Sequence, residues 1–152
     1  MTPEGAQLAE GLRAAVPFNT TLGLEYLEIT AERAVFRMPD RPEVHNHVGG
    51  PHAAAQFGLA EAASGAVILA AFADQMERAL PLAASAEVSY RRLAMGAVTA
   101  EATLGRTRDE VVAELDAGTQ PRIPVTVVIR TEDGTETTQV TITWALRLKR
   151  PS

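Results

Sequence analysis

A long apolar segment, residues 51–75, constrains the fold more than any other part of this chain. From residue 53 to residue 73 the segment is interrupted by only three polar residues, Gln56, Glu61 and Ser64. Because the apolar residues would surround a helix rather than form one stripe, they predict a buried helix and not one that lies on a surface. The pattern therefore predicts an α+β fold in which an antiparallel sheet wraps around one long central helix.

The remaining elements supply that sheet. Alternation of apolar and polar residues predicts six strands, at residues 23–29, 32–38, 84–91, 97–104, 123–131 and 137–148. A helix is predicted at 3–15 with Thr2 as its N-cap, and a capping box from Thr107 to Glu110 predicts a short helix between the fourth and fifth strands. At 152 residues, without a linker or a repeat, the chain is expected to form a single domain over residues 1–152.

Charge and composition exclude several classes of protein. The net charge of −5 and the isoelectric point of about 5.2 argue against a general nucleic-acid binder, because phosphate backbones require a basic surface. The absence of cysteine excludes disulfide bonds and thiolate chemistry. The N-terminus has no apolar signal region, and the longest apolar run, 62–73, is too short to span a bilayer. A cytoplasmic protein that binds neither nucleic acid nor membrane is therefore expected.

Glu61 is the residue of the central helix that most needs an explanation. A lone carboxylate in an apolar wall is rarely buried without a partner or a function, because desolvating an unpaired charge is costly. At helical spacing Ala53, Phe57, Glu61 and Ser64 share one face, so Phe57 and Ser64 are candidate substrate contacts. The alternative is a structural acid, paired with an arginine or with a histidine of the preceding loop.

The loop before the helix is rich in polar groups, with three histidines and Asn46 within eight residues. The backbone N–H groups of His52 and Ala53 are expected to be unpaired, and such donors at a positive helix end suit a developing oxyanion. Asn46 and His52 would bring side-chain donors to the same place. Glu61 would face these amides from one to two turns inside the helix. The set fits hydrolysis of an activated acyl group better than phosphoryl or hydride transfer.

An alternative use of His45, His47 and His52 is a metal site, since imidazole is the commonest protein ligand for metals. The chain has no cysteine, and few carboxylate side chains lie near the histidines to complete a set of metal ligands. His45 and His47 are more simply explained as solvated loop residues. We therefore expect neither a metal ion nor a cofactor.

The spacing of the polar residues resembles that of the hotdog-fold acyl-CoA thioesterases of the PaaI-like type, a subfamily largely without assigned substrates. The family signature has an Asn, a His six residues later that is followed by Gly-Gly, an acidic residue nine beyond the His, and then a Gly. The matching positions here are Asn46, His52, Glu61 and Gly65. Residues 16–24 and 88–96 are similar to the approach to the family's first strand and to its turn after the central helix, so the resemblance covers most of the chain.

The resemblance implies a role for each matched residue. Glu61 would act as general base or nucleophile on the thioester. The backbone N–H of Ala53 would polarise the thioester carbonyl. His52 matches the histidine of the motif, and Asn46 would help to place the water or the carbonyl.

Two departures from the family pattern affect the site. Alanines replace the two glycines of the motif, although an N–H donor needs no glycine. The strand after the helix often carries a Ser or Thr that orients water. The matching position here is Ala83, and Ser85, two residues on and expected on the same face, is a candidate substitute. Arg91 and Arg92 are candidates to meet the phosphates of coenzyme A, with ordinary solvated charges at a strand end as the alternative.

The expected function is hydrolysis of an acyl-CoA, or of an acyl-carrier-protein thioester, to the free acid and the thiol. The alternative is a non-catalytic hotdog protein that binds an acyl thioester or another apolar ligand. The altered His-Ala-Ala motif favours that alternative, and the retained Glu61 opposes it. Hotdog domains that resemble this one pair through their sheets, with active sites at subunit interfaces. A homodimer, or a homotetramer of two such dimers, is therefore expected.

Overall fold

The computed structural model describes residues 1–150, so the last two residues of the predicted domain, 151 and 152, lie outside the described residues. Both predicted flanking helices and all six predicted strands are present. The elements in chain order are α1 (Pro3–Ala15), α2 (Pro17–Thr21), β1 (Glu25–Ile29), β2 (Arg33–Met38), α3 (Ala53–Phe72), β3 (Ala79–Tyr90), β4 (Val98–Leu104), α4 (Arg108–Asp116), β5 (Arg122–Thr131) and β6 (Glu136–Leu148).

The strands form one antiparallel sheet in the order β1-β2-β4-β5-β6-β3. The sheet wraps around α3, which contacts every strand. Both layers contribute large, fully buried side chains to the core, among them Phe36 of β2, Leu59 and Ile68 of α3, and Ile142 of β6. The predicted α+β arrangement, an antiparallel sheet around one long helix, is confirmed.

The start of α3 differs slightly from its prediction. His52 rather than Pro51 precedes the first helical residue, with an extended backbone typical of an N-cap. Its Nδ1 accepts a hydrogen bond from the N–H of Ala54 at 2.9 Å. Pro51 instead lies in an isolated β-bridge with His45. This backbone bridge therefore holds the two ends of the loop together just before the helix begins.

The helix and the 3₁₀ turn that follows it, Ala53–Gln75, are long and apolar enough to cross a membrane by length and composition alone. Of the most apolar stretch, 67% is buried within the protein. This segment is therefore the core helix of the fold, as the uniform apolar pattern predicted.

The helices α1 and α4 begin at the predicted caps. The Thr2 hydroxyl accepts a hydrogen bond from the N–H of Gly5 at 3.0 Å, and the Thr107 hydroxyl accepts one from the N–H of Glu110 at 3.4 Å. The short helix α2 is not indicated by the sequence pattern. Together α1 and α2 pack against α3, so they cover part of the central helix that the sheet leaves open.

The strand β3 differs most from its prediction. It begins at Ala79, five residues earlier than predicted, and forms one edge of the sheet beside β6. Most of its residues are exposed, including the apolar side chains of Leu80 and Leu82, at 46% and 41%. An edge strand of this length presents a row of unpaired backbone groups, which proteins normally protect or pair.

Candidate active site

One face of α3 is less covered than the others, and Glu61 lies on it. Phe57, Glu61, Gly65 and Leu69 are each partly buried, whereas every residue between them is buried. Residues four apart share one face of a helix. The sheet therefore surrounds most of α3 and leaves one stripe, which carries the carboxylate.

Glu61 lines a largely apolar cavity of about 120 Å³ between α1, α3 and the edge of the sheet, and the buried amide side chain of Asn19 of α2 lines it as well. The side chains that enclose it come from four different elements and the start of α2. They include Leu12, Val16, Leu69, Pro81 and Trp144. No other lining residue can ionise. Phe57, predicted to contact substrate, packs against the core and does not line this cavity.

The carboxylate of Glu61 has no hydrogen-bonding or charged partner within residues 1–150. Burial raises the pKa of Glu61 above its ordinary value of 4.5, because an apolar surrounding disfavours the charged form. The alternative of a structural acid held by an arginine or a histidine is therefore not what the structure shows. An unpaired carboxylate in a cavity, with a raised pKa, fits a group that accepts a proton during a reaction.

Ser64 holds an aromatic side chain in place and does not contact a ligand. Its hydroxyl donates to the backbone carbonyl of Glu61 at 2.8 Å and accepts from Nε1 of Trp144 at 2.9 Å. Ser64 is fully buried and does not line the Glu61 cavity, so nothing in the structure supports the prediction that it contacts substrate. Ser64 therefore lies beside the partly buried stripe that carries Glu61 and not on it, and its hydroxyl anchors the Trp144 ring.

Trp144 is a wall of the Glu61 cavity that the sequence reasoning did not assign to the site. A Cβ added at Gly65 would lie 3.3 Å from the Trp144 ring, so the ring packs closely on α3. The inward orientation of Trp144 could be inferred from the sequence, because Trp144 follows the apolar Ile142 by two residues and so lies on the same inner face of the sheet. Which element that face meets depends on the whole fold and not on the strand alone.

The start of α3 offers fewer free donors than predicted. The N–H of His52 donates to the carbonyl of Val44 at 2.8 Å, so its expected availability to a ligand is wrong. The His52 ring is occupied as well, since its Nδ1 caps the N–H of Ala54. Ala53 is exposed, and its N–H has no hydrogen-bonding partner within residues 1–150. The N–H of Ala53 therefore remains available to an oxyanion.

Asn46 shapes the loop that leads into α3. Its Oδ1 accepts hydrogen bonds from the N–H groups of Val48 at 3.0 Å and Gly50 at 3.1 Å. Its Nδ2 lies 3.5 Å from the carbonyl oxygen of Pro51. Both polar atoms of the side chain are thus engaged within the loop, as in an Asx turn. Asn46 accordingly positions the start of the helix.

A second cavity, of about 350 Å³, lies between the start of α3 and the end of β3. Ala53 and the buried Gln56 line one side of it, and Tyr90, Arg91 and Arg92 line another. The Tyr90 hydroxyl donates to the carbonyl of Ala53 at 2.9 Å and so ties β3 to the helix start. The structure therefore brings the predicted carbonyl-polarising residue next to the two predicted phosphate-binding arginines, which are exposed. The sequence did not indicate Tyr90 as a site residue, because no local sequence pattern predicts its contact with α3.

Glu61 and Ala53 of one chain do not come together. They line different cavities. Eight residues at about 1.5 Å of helical rise place them about 12 Å apart along α3, whereas reacting groups must lie within about 3.5 Å of each other. The prediction that Glu61 faces the amides of its own helix is therefore wrong, because the rise of the helix itself separates them.

Ser85 and Ala83 lie on opposite faces of β3, so the expectation that Ser85 shares the face of Ala83 is wrong. Ala83 pairs with Trp144, whereas Ser85 pairs with Thr143, because a bulge inserts one extra residue between them. Adjacent residues of β6 point to opposite faces of the sheet. Ser85 is consequently on the outer face, away from α3, and cannot replace the water-orienting Ser or Thr of the family pattern.

The loop histidines lie apart from the Glu61 cavity. Nε2 of His45 is 2.5 Å from a carboxylate oxygen of Asp40, and His47 is exposed. His52 lines a separate cavity beside α2. Within residues 1–150 no three His, Cys, Asp or Glu side chains group closely enough to hold a metal ion.

Solved structures share this fold over nearly their whole length. The probable thioesterase PA5026 of Pseudomonas aeruginosa has a TM-score of 0.83 and 25% identity, over 95% of this chain and 96% of that one. A mutant of the thioesterase PA1618 from the same organism has a TM-score of 0.75 and 20% identity, over 98% and 97%. The E. coli PaaI protein from the phenylacetic acid degradation operon has a TM-score of 0.73 and 13% identity, over 95% and 94%.

These likenesses confirm the hotdog fold of the PaaI-like thioesterase type, and the neighbours' names support a thioesterase-type hydrolase as the general class of function. A comparison with curated proteins finds no match for the chain. Residues 5–146 match the model of a family described as a domain of unknown function, DUF4442. Because that match spans nearly the entire chain, the protein belongs to this family.

Proposed function

We propose that the protein is a thioesterase that hydrolyses an acyl-CoA, or an acyl-carrier-protein thioester, to the free acid and the thiol. The observation that carries this proposal is the unpaired carboxylate of Glu61 in a largely apolar cavity in which no other lining residue can ionise. Such a group can take a proton from water beside an apolar acyl chain. Neighbouring structures of the same fold that are named thioesterases support the same class of reaction.

The proposed site is completed by a second subunit. The edge strand β3 contributes Pro81 to the Glu61 cavity and, at its other end, Tyr90 to the Ala53 cavity. If two copies pair antiparallel through β3, the two-fold axis exchanges these ends. Glu61 of one subunit then lies next to the partner subunit's Ala53. We therefore propose a homodimer with shared sites, and two such dimers would form a tetramer.

In this arrangement the thioester carbonyl oxygen accepts a hydrogen bond from the N–H of Ala53, and a water molecule lies against Glu61 of the other subunit. Glu61 takes a proton from the water as its oxygen attacks the carbonyl carbon. The N–H and the positive helix end stabilise the tetrahedral oxyanion. The C–S bond then breaks, and the proton passes to the leaving sulfur. The free acid and the thiol result, and the reaction needs no metal or cofactor.

The remaining candidate residues act around this centre. Arg91 and Arg92, exposed beside Ala53, are proposed to hold the phosphates of coenzyme A, since guanidinium groups match phosphate geometry. Asn46 and His52 are positioning residues, because their side chains fix the loop and cap the helix whose first N–H polarises the carbonyl.

Release of free thiol from a panel of acyl-CoAs tests the proposal. The Glu61→Gln variant keeps the shape of the side chain and loses its basicity, so kcat is expected to fall by about 10²–10⁴-fold. Glu77→Gln, which neutralises an exposed acid just beyond α3, is the matched control and should keep wild-type turnover. A folded Glu61→Gln variant with near wild-type kcat would contradict the assignment.

Mixing two inactive variants tests the shared site. Ala53→Pro removes the N–H donor and Glu61→Gln removes the base. In a mixed dimer of a shared-site enzyme, both changes fall in one site and the other site is intact. Random reassociation should therefore restore about one quarter of wild-type activity, since half of the dimers are mixed. Mixed dimers without activity would show that each site lies within one subunit.

A non-catalytic binding protein is the second candidate. Alanines replace the glycines of the family motif, and the His52 N–H is already bound to Val44, so the polarising end has fewer free donors than expected. This function predicts that acyl-CoAs bind without release of thiol. Calorimetric binding combined with no detectable thiol over many hours would favour it.

A further inference from the structure

A groove on the far side of Leu12 and Leu69 continues the Glu61 cavity. It has a volume of about 570 Å³ and lies between α1 and the C-terminal half of α3. Leu12 and Leu69 line both the groove and the cavity, so the two spaces meet at these side chains. The proposed chemistry uses the cavity and leaves the groove without a role.

The groove is apolar over most of its length. Helix α1 contributes Leu8, Gly11 and Ala15 to its walls, α3 contributes Leu69, and Ala73 lines the groove directly after α3. Its polar lining residues belong to the first two turns of α1, at the end of the helix away from the Glu61 cavity. A ligand in this groove would therefore be apolar along its body.

A continuous stripe leads from the carboxylate into the groove. Glu61, Gly65 and Leu69 follow one another at intervals of four along the same face of α3, and Ala73 lines the groove just beyond the end of the helix. The eight residues from Glu61 to Leu69 at about 1.5 Å each span about 12 Å, which is about the length of ten extended acyl carbons, so a longer chain reaches into the groove. At Gly65, where the stripe passes the Trp144 ring, an added Cβ would lie 3.3 Å from that ring. The ring and the glycine are therefore in close contact, so the tail would run beside the ring and not between the ring and the helix.

We propose that this groove binds the aliphatic tail of a long-chain acyl thioester, so that the preferred substrates carry about ten to fourteen acyl carbons and not a short or compact acyl group. The inference rests on the proposed thioesterase function and assigns its substrate class. The thioester carbon lies at Glu61, and the tail passes Gly65 and runs between Leu12 and Leu69. Each methylene buried there tightens binding by about fourfold.

Gly11 offers a way to block the groove without straining the fold. A Cβ added at Gly11 would meet no atom within 4 Å, and residues other than proline favour a helix more than glycine does. The Gly11→Phe variant should therefore fill the groove with its ring and leave α1 intact. Ala6→Phe is the matched control, because Ala6 is exposed on the same helix and does not line the groove.

Turnover is measured with butyryl-CoA and dodecanoyl-CoA. For the wild type, kcat/KM is expected to be higher with dodecanoyl-CoA. Gly11→Phe should lower that value by about tenfold to a hundredfold, the equivalent of two or three methylenes no longer buried, and leave butyryl-CoA turnover unchanged. Ala6→Phe should match the wild type with both substrates.

Two other outcomes would overturn the inference in distinguishable ways. If butyryl-CoA and dodecanoyl-CoA are hydrolysed equally well, or Gly11→Phe slows both equally, the groove does not hold the tail and the thioesterase function stands. If neither substrate is hydrolysed, the proposed function fails. Calorimetric binding of dodecanoyl-CoA then tests whether the groove binds the aliphatic tail. Binding that weakens in Gly11→Phe supports the tail site, whereas binding that is unchanged overturns it.

Discussion

The polar residues of the loop before α3 have hydrogen-bonding partners, whereas the carboxylate in the middle of α3 has none within the described residues. In the loop, Asn46 accepts hydrogen bonds from the N–H groups of Val48 and Gly50, and His52 caps the helix. In the middle of the helix, Glu61 stands among apolar walls with no partner in the described part of the chain, residues 1–150. The loop has more polar residues, yet the candidate reactive group is the one carboxylate of the helix.

The physical reason is that the two environments differ in the free energy that a polar side chain gains or loses there. A loop that turns into a helix has backbone donors without helical partners, and Asn and His side chains satisfy them. A carboxylate in an apolar cavity gains nothing in stability, because its desolvation is not offset by a partner. The loop residues are thus explained by folding, whereas Glu61 is better explained by chemistry.

After the loss of turnover expected for Glu61→Gln, the largest expected effect concerns the N–H of Ala53, at the junction between the loop and the helix. Proline is tolerated at the first helical position, and the extended backbone of His52 suits a residue that precedes proline. Ala53→Pro should therefore remove the donor and keep the helix. Thiol release is expected to slow by about 10²–10³-fold, the usual effect of losing one oxyanion donor.

The control for this prediction is Ala53→Gly, which keeps the N–H and restores the glycine of the family motif. Its kcat should stay within a few-fold of wild type. Circular dichroism checks that both variants are folded. A folded Ala53→Pro enzyme with undiminished kcat would remove this donor from the mechanism.

The next effect concerns stability in the loop. Asn46→Ala leaves the N–H groups of Val48 and Gly50 without their acceptor, so the free energy of unfolding should fall by about 1–2 kcal/mol. Urea unfolding measures this change. Asn46→Asp keeps an acceptor oxygen and should retain most of the stability. An equal loss in both variants would show that these two hydrogen bonds are not what the side chain contributes.

The features that the sequence predicted correctly depend on residues close together in the chain. The central helix follows from its uniform apolar run, the caps at Thr2 and Thr107 from residues three positions away, and the isolation of Glu61 from its being the one carboxylate in that run. Periodicity and capping are local properties, so a single sequence can show them.

The features that the sequence did not predict depend on contacts between distant segments. The bulge before Ser85 is visible only in the register between β3 and β6. The N–H of His52 is bound by Val44 across a loop whose path the composition does not specify. Trp144 reaches the Glu61 cavity from the last strand, 83 residues along the chain. Each of these contacts is set by the tertiary fold, which overrides local pattern.

Glu61→Gln is also expected to stabilise the protein at neutral pH. Burial raises the pKa of Glu61 in the folded state above 4.5, so between the unfolded and folded pKa values the folded protein binds more protons than the unfolded chain. The contribution of Glu61 to stability therefore falls as pH rises through that window. Gln does not ionise, so the variant should be more stable by on the order of 1 kcal/mol at pH 7 and equal to wild type below about pH 4.

Thermal unfolding at pH 7 and pH 4, at one ionic strength, measures this difference. Glu77→Gln neutralises an exposed acid and should show no such pH-dependent gain. The same raised pKa predicts that kcat/KM of the wild type falls on the acid side at a pH above 4.5. A Glu61→Gln protein less stable than wild type at pH 7 would mean that the carboxylate has a partner, and the contrast with the loop would disappear.

The smallest expected effect concerns the loop histidines that point to solvent. His47 is exposed, so His47→Ala should change the free energy of unfolding by less than about 0.5 kcal/mol and leave thiol release unchanged. His52→Ala removes a helix cap and should cost about 1 kcal/mol, which gives the scale for comparison. Urea unfolding and thiol release measure both variants. A tenfold loss of turnover in His47→Ala would place a reactive group in the loop, and the separation between a structural loop and a chemical helix would no longer hold.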